Sequence, residues 1–442
     1  MPVNKHSDPG KQESHHDRER KDHGDESFHP YVGADAPRRN VEDLLLRRNH
    51  PTFHSDHSEE ELIELEDAEP LIELEAVPES EHPAESRDIL TREKEVVCIP
   101  DIHGDVYAFE KSLQEAGYAD ADGILTAEGK KNHILLIGDL IDRGTTNLAV
   151  LAKIQNLEEQ GATITVLAGN HDLLMLDTLQ TGNPDALGTW FGVFKDNGGM
   201  SVIREILRHR EQLKTDLQRK GIPVDAQCTW MPPVGQQTID FMSEKYHFAR
   251  EDLREALGIA KALFTGNGPH ASVFRNMKIM ERVDDVLYVH AGVDETWANI
   301  FAHEGAEGAN RTFSAMMQTK QLGKLMEGKE LGGIVWMRPT GRLNTVFLTL
   351  ETARILRSRG IRAVVHGHTH LKDGQAQTVL YEDDPEREII VINGDVGMSA
   401  RYNGGHGYVR VDRKGEVTAD GRTGKKMFGT LPTRKDQNPT NL

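Results

Sequence analysis

Short apolar runs, each ending at or followed within three residues by a glycine or proline beside charged, amide or histidine residues, recur along most of the chain. Residues 96–100, 134–137, 162–167, 286–289, 362–365 and 389–392 are four to six residues long and rich in β-branched side chains. That pattern predicts strands buried on both faces. Between the first of them, apolar residues fall at helical spacing. Val106, Phe109 and Leu113 predict a helix over 106–116, and further helices are predicted over 146–159 and after Asp172. Residues 119–131 read as a loop. The order is β-α-β-α-β, and right-handed crossovers make the first three strands parallel neighbours with their carboxyl ends together. Residues 180–280 are less regular. Amphipathic stretches at 201–220 and 250–264 predict a mostly helical insertion that caps the site. Residues 407–411 are predicted to close the sheet.

Residues 1–92 lack this periodicity and are rich in His, Asp, Glu and Arg. Their acidic excess supplies most of the net charge of -19, a composition that cannot bury a core. The expected organisation is a disordered, acidic, His-rich arm over 1–92 and one folded domain over 93–415. The insertion lies at about 180–280, and a disordered tail covers 416–442. Within the arm, Leu62-Ile63-Glu64-Leu65-Glu66 is echoed by Leu71-Ile72-Glu73-Leu74-Glu75. Such alternation suits strand addition to a protein partner or a short helix in a partner's groove, but a solvated acidic linker is the favoured reading.

The acidic balance argues against nonspecific binding to nucleic acid or to an anionic membrane. Cys98 and Cys228 make neither a disulfide framework nor a thiolate metal site, which fits a reducing cytoplasm. No run of 18 apolar residues and no apolar leader stretch is visible. A cytoplasmic location is the expectation.

The chemistry gathers at the strand ends, which carry Asp101 and His103, then Asp139, Asp142 and Arg143, then Asn170 and His171, then His290, then His366 and His368. Carboxylate, imidazole and amide without thiolate suit Mn, Fe or Zn better than Ca or a structural zinc. There are too many ligands for one ion. Two ions about 3.5–4 Å apart, sharing a carboxylate and a water, use them all. A water whose pKa is lowered towards about 7 in that way is a nucleophile at neutral pH. Arginines beside it hold an anionic substrate. Together these describe hydrolysis of a phosphoester.

Asp101-Ile102-His103-Gly104, Gly138-Asp139-Leu140-Ile141-Asp142-Arg143-Gly144, Gly169-Asn170-His171-Asp172, His290-Ala291-Gly292 and Gly367-His368-Thr369 run in order through the chain. This series resembles the signature of the PPP-type metallophosphoesterases, in the calcineurin-like superfamily. It is most similar to their bacterial-type branch, which includes the Shewanella-like phosphatases, the bacteriophage lambda-type phosphatase and diadenosine-tetraphosphatase-like enzymes. Trp336-Met337-Arg338 and Asp395-Val396-Gly397-Met398-Ser399 resemble that branch too. The resemblance implies an α/β sandwich of two mixed β-sheets flanked by helices. It implies that Asp101 and His103 bind one divalent metal, that Asn170, His290 and His368 bind another, and that Asp139 bridges them. His171 would protonate the leaving oxygen, Asp142 would orient His171, and Arg143 and Arg338 would bind the phosphoryl oxygens.

Two positions depart from the family pattern. Pro100 stands where glycine is usual before the first Asp, and Asp172 stands where the eukaryotic protein phosphatases usually have Glu. The expected function is a dimetal phosphomonoesterase acting on phosphoproteins by attack of a water between the metals. The alternatives are a symmetrical dinucleoside-polyphosphate hydrolase and an inactive phosphate-binding scaffold. Smaller expectations complete the reading. Asp105 caps a helix, Cys98 fills the core, His366 and His370 pack locally, Trp190 and Trp336 are cap or core aromatics, and Tyr402 does not reach the substrate.

Overall fold

The computed structural model describes residues 92–192, 198–326, 333–338, 348–371, 374–380, 389–399, 402, 404–421 and 424–431. The near-repeat of the N-terminal arm lies outside them.

The first apolar runs form β1 (Val96–Ile99), β2 (His133–Leu136) and β3 (Thr163–Val166), which pair in parallel. β1 and β2 are buried throughout, as strands with two covered faces must be, whereas the edge strand β3 exposes Thr163 and only half-buries Ile164 and Thr165. Val97 and Ile99 of β1 pack with Phe109 and Leu113 of the helix Val106–Glu115. Val96 and Cys98 point the other way, into a second cluster with Tyr288, Val365 and Ile392. That second cluster is the seam between two sheets. Its far side is built from β4 (Met280–Val283), β5 (Val286–Val289), β6 (Ala363–His366), β7 (Gln377–Leu380) and β8 (Ile390–Asn393), in the order β4-β5-β6-β8-β7. The pairs β5–β6 and β6–β8 are parallel, and the edges are antiparallel. Helices flank the sandwich, as expected. Asp105 caps Val106–Glu115, accepting from the Ala108 amide at 3.0 Å. Within the expected loop over 119–131, Thr126 caps a short helix, Ala127–Lys131.

Three expectations need correction at the ends of the domain. Arg92, expected in the arm, is buried and ion-paired with Asp285, so it belongs to the domain; the rest of the arm lies outside the described residues. Residues 408–411 do not close the sheet. As β9 (Tyr408–Val411) they lie between β1 and β10 (Glu416–Asp420), and β11 (Lys426–Thr430) is the edge of the order β11-β10-β9-β1-β2-β3. The polar tail thus contains two strands. Val417 and Ala419 alternate inward at period two and Leu431 is buried. The signal was hidden because only one face of β10 is apolar and glycines interrupt the segment. Gly415, at φ 82, makes the tight turn from β9, with the Asp412 carboxylate accepting from the Lys414 and Glu416 amides at 2.8 Å.

The insertion is helical: Pro184–Gly192, Met200–Arg219, Pro233–Tyr246, Arg250–Phe264 and Ala271–Arg275. Met200–Arg219 packs along Arg250–Phe264, whose Leu253, Ala256, Leu257 and Ala260 form a buried stripe at helical spacing.

Deleting residues 1–91 is expected to leave kcat and Tm nearly unchanged, because the described core closes without them. A melting curve and a turnover assay on the shortened chain check this. A large loss in either shows that the arm docks on the domain.

Candidate active site

Each site loop begins where a strand ends. Pro100 follows the last paired residue of β1, so its missing N–H removes no ladder bond, and Asp101 and His103 come next. Asp139, Asp142 and Arg143 follow β2, Asn170 and His171 follow β3, His290 follows β5 and His368 follows β6. The loops are laced together. His103 and Gly104 donate their amides to the Asp139 and Leu140 carbonyls at 2.8 and 2.9 Å. The His368 amide donates to Asp101 Oδ2 at 2.8 Å, and the His171 amide to Asp139 Oδ1 at 3.0 Å. Asp172 ties two loops by accepting from the Gly169 and Leu140 amides, each at 3.1 Å.

The fit strains the backbone. Among the described residues, nine non-glycine residues have positive φ, and five of them are His103, Asp139, Asp142, Arg143 and His368. Strain concentrated in this way marks a site whose geometry the surrounding fold imposes. Gly169 and Gly367 allow the closest approaches. A Cβ on Gly169 would overlap the Asp139 amide nitrogen, and one on Gly367 would overlap Asp101 Oδ1.

Asp139 sits at the centre. Its carboxylate belongs to two groups of ligand atoms, one with His103 and His171 and one with His290 and His368, each within 4.8 Å. Oδ2 lies 3.6 Å from His103 Nε2, and Oδ1 lies 3.6 Å from His290 Nε2. The imidazoles are oriented from behind. Nδ1 of His103 meets the Ile141 carbonyl at 3.1 Å, and Nδ1 of His290 meets the Ile137 carbonyl at 2.9 Å. Donation there leaves each Nε2 as an acceptor facing the centre, the usual arrangement of a metal-ligating histidine. Nε2 of His290 also lies 3.1 Å from Asn170 Oδ1.

The residues present fit divalent ions. Among the described residues, His368 Nε2 and Asn170 Nδ2 are buried without a hydrogen-bond partner. Burial pushes Asp139 up to about 7 and Asp395 up to about 6. Asp101 is raised by burial and then by Asp395 and Asp139. Burial pushes His290 down to about 3, and it lowers His103, His171 and His368 too. Neutral imidazoles are what a metal binds, and a dication would return the crowded carboxylates to their anionic form. Asp101 belongs to neither ligand group, and both its oxygens accept from the His368 amide.

Beside the centre stands a dyad. His171 Nδ1 lies 2.6 Å from Asp142 Oδ2, and His171 Nε2 lies 3.3 Å from Arg143 Nη2 and 4.0 Å from Asp139 Oδ2. An arginine only donates, so Nε2 accepts and Nδ1–H faces Asp142. Burial holds the Asp142 carboxyl well above the usual carboxylate range, and the Trp190 indole N–H offsets only part of that rise. Arg338 is anchored by donating Nη1 to the His368 carbonyl at 3.0 Å.

Sequence reasoning missed several neighbours. Tyr402, expected away from the substrate, lies against the site. Its ring stacks on His370 at 4.2 Å, and the Arg143 guanidinium lies 4.8 Å from its centroid. Asp395 sits electrostatically between Asp101 and Arg143. Its signal was present, since Asn393-Gly394-Asp395 repeats the strand, glycine, acid pattern. Trp190 donates its indole N–H to both Asp142 oxygens at 3.1 Å. His366, by contrast, packs locally as expected, with Nδ1 2.9 Å from the Gly367 carbonyl.

A family model described as calcineurin-like phosphoesterase matches residues 94–372, more than half of the chain. The chain belongs to the calcineurin-like phosphoesterase family. The family uses divalent metals, and the two ligand groups around Asp139 are their candidate place. Curated relatives match shorter stretches. A Shewanella-like protein phosphatase 2 of Arabidopsis thaliana is 29% identical over 86 residues, covering 19% of this chain and 22% of its own. A symmetrical bis(5'-nucleosyl)-tetraphosphatase of Buchnera aphidicola is 26% identical over 124 residues, covering 28% of this chain and 41% of its own. The chain therefore spans less than half the length of each. Among solved structures, a cold-active protein-tyrosine phosphatase of a psychrophilic Shewanella species superposes over 77% of this chain and 80% of its own. The identity is 16% and the TM-score 0.45. Among the described residues, no helix is long and apolar enough to cross a membrane.

Proposed function

We propose that the chain is a dimetal phosphomonoesterase whose substrates are phosphorylated proteins. The observation that carries this reading is the single carboxylate of Asp139 set between two groups of imidazoles, with the His171–Asp142 dyad and Arg143 against it. Asp101 and His103 would hold one divalent ion (Mn, Fe or Zn), Asn170, His290 and His368 the other, and Asp139 both. Such ions supply a nucleophilic water and neutralise phosphoryl charge. Arg143 and Arg338 hold the phosphoryl oxygens and favour the charge that builds in the transition state. His171, protonated at Nε2, gives that proton to the leaving oxygen. It then returns to the tautomer in which Nδ1–H faces Asp142.

The tetraphosphatase relative favours a second reading, a symmetrical dinucleoside-polyphosphate hydrolase. A panel of p-nitrophenyl phosphate, phosphotyrosine and phosphoserine peptides and diadenosine tetraphosphate, assayed with manganese, separates the two. Higher kcat/KM is expected on the monoesters. Preference for the dinucleotide reverses the assignment, and no turnover at all leaves a phosphate-binding scaffold.

A further inference from the structure

Trp190 comes from the helix Pro184–Gly192 of the insertion and is 1% exposed. A buried indole N–H needs a partner, yet the buried Nε1 atoms of Trp230 and Trp336 have none among the described residues. The N–H of Trp190 instead reaches both oxygens of Asp142 at the same distance, 3.1 Å. A donor shared by both oxygens holds the carboxylate in place against the His171 ring, where Oδ2 faces His171 Nδ1 at 2.6 Å. The indole is itself clamped. Phe191 meets it edge-on at 5.2 Å, and the Gly199 amide donates to the Trp190 carbonyl at 2.9 Å. Gly199 also lies so close to the indole face that a Cβ there would overlap the ring.

The same insertion holds the backbone of Asp142. The Asp142 amide donates to Asn147 Oδ1 at 2.7 Å. Asn147 in turn donates its amide and Nδ2 to Glu205 Oε2 at 2.7 and 2.9 Å. Glu205 lies on the helix Met200–Arg219 and is 6% exposed. Carboxylate and main chain of Asp142 are therefore both held from one added module.

We propose that Trp190 is a positioning residue: its indole N–H fixes the Asp142 carboxylate so that His171 is aimed at the leaving oxygen. The inference rests on His171 being the proton donor. Orienting partners of this kind typically contribute about 10–100-fold in activity.

The test compares wild type, Trp190→Phe, His171→Asn and the double variant, with manganese, on phenyl phosphate and p-nitrophenyl phosphate. The first has the poorer leaving group and nearly the same shape. Trp190→Phe should lower kcat on phenyl phosphate about tenfold, with KM, metal content and Tm held. Its effect on p-nitrophenyl phosphate should be small. In the His171→Asn background it should add nothing, because the two act as one unit. An equal loss on both substrates, or an undiminished loss in the His171→Asn background, reduces the indole to packing and overturns the proposal. If His171→Asn itself treats both substrates alike, the proton-donor reading fails and takes this one with it. Should Trp190→Phe not fold, Gly199→Ala, which displaces the ring and keeps the N–H, must show the same substrate pattern. Its absence is equally fatal.

Discussion

Replacing Asp139 by Asn removes catalysis and at least one metal equivalent while the fold survives. The amide keeps the volume of a side chain that is 1% exposed, and it keeps an oxygen for the His171 amide at 3.0 Å. Packing and loop lacing therefore persist. What disappears is the anionic charge shared between His103 on one side and His290 on the other, each 3.6 Å away. Losing several kcal/mol of transition-state stabilisation corresponds to a fall of about 10³-fold or more in kcat/KM. Elemental analysis beside a p-nitrophenyl phosphate assay checks both halves. Two metals retained in the Asn variant would remove Asp139 from the bridging position.

His171→Asn separates a proton donor from a ligand. The geometry permits either role, since Nε2 lies within ligand distance of the Asp139 group and Nδ1 is bonded to Asp142. General acid catalysis is typically worth about 10²–10⁴-fold, and it matters most for a poor leaving group. The variant should therefore slow an alkyl phosphate or phosphoserine peptide heavily and p-nitrophenyl phosphate much less, with metal content unchanged. Asn170→Ala should instead lower both activities together and recover with excess manganese. Loss of metal from His171→Asn, or equal slowing of both substrates when chemistry is rate-limiting, removes the proton-donor role.

The strands and their terminal clusters were legible because two physical signals coincide there. A strand buried on both faces must be apolar throughout, and the residues that follow it are released from that demand. β10 and the edge strand β4 gave weaker signals, since only part of each is buried. Trp190, Glu205 and Tyr402 reach the site across tertiary distance, and nothing in their local spacing says what they meet. Glu205 did carry one cue. It is an acid among Val202, Ile203 and Ile206 on the buried stripe of its helix, and a buried acid needs partners. Asn147 supplies them.

The six-stranded sheet joins the two ends of the domain, with Val96 of β1 registered on Val411 of β9. The hydrogen bond from His368 to Asp101 closes a separation of 267 residues. Contacts so distant in sequence make folding slow, because a large loop must close before they contribute. At about 5–20 residues per second, a ribosome takes roughly 13–53 s to deliver His368 after Asp101. Throughout that interval β1 has no partner for its β9 edge, and the β8 part of the second sheet that covers its inner face is still missing. The loops that carry the candidate ligands therefore come together late, and the partly made chain leaves an unpaired strand edge open to aggregation for that time.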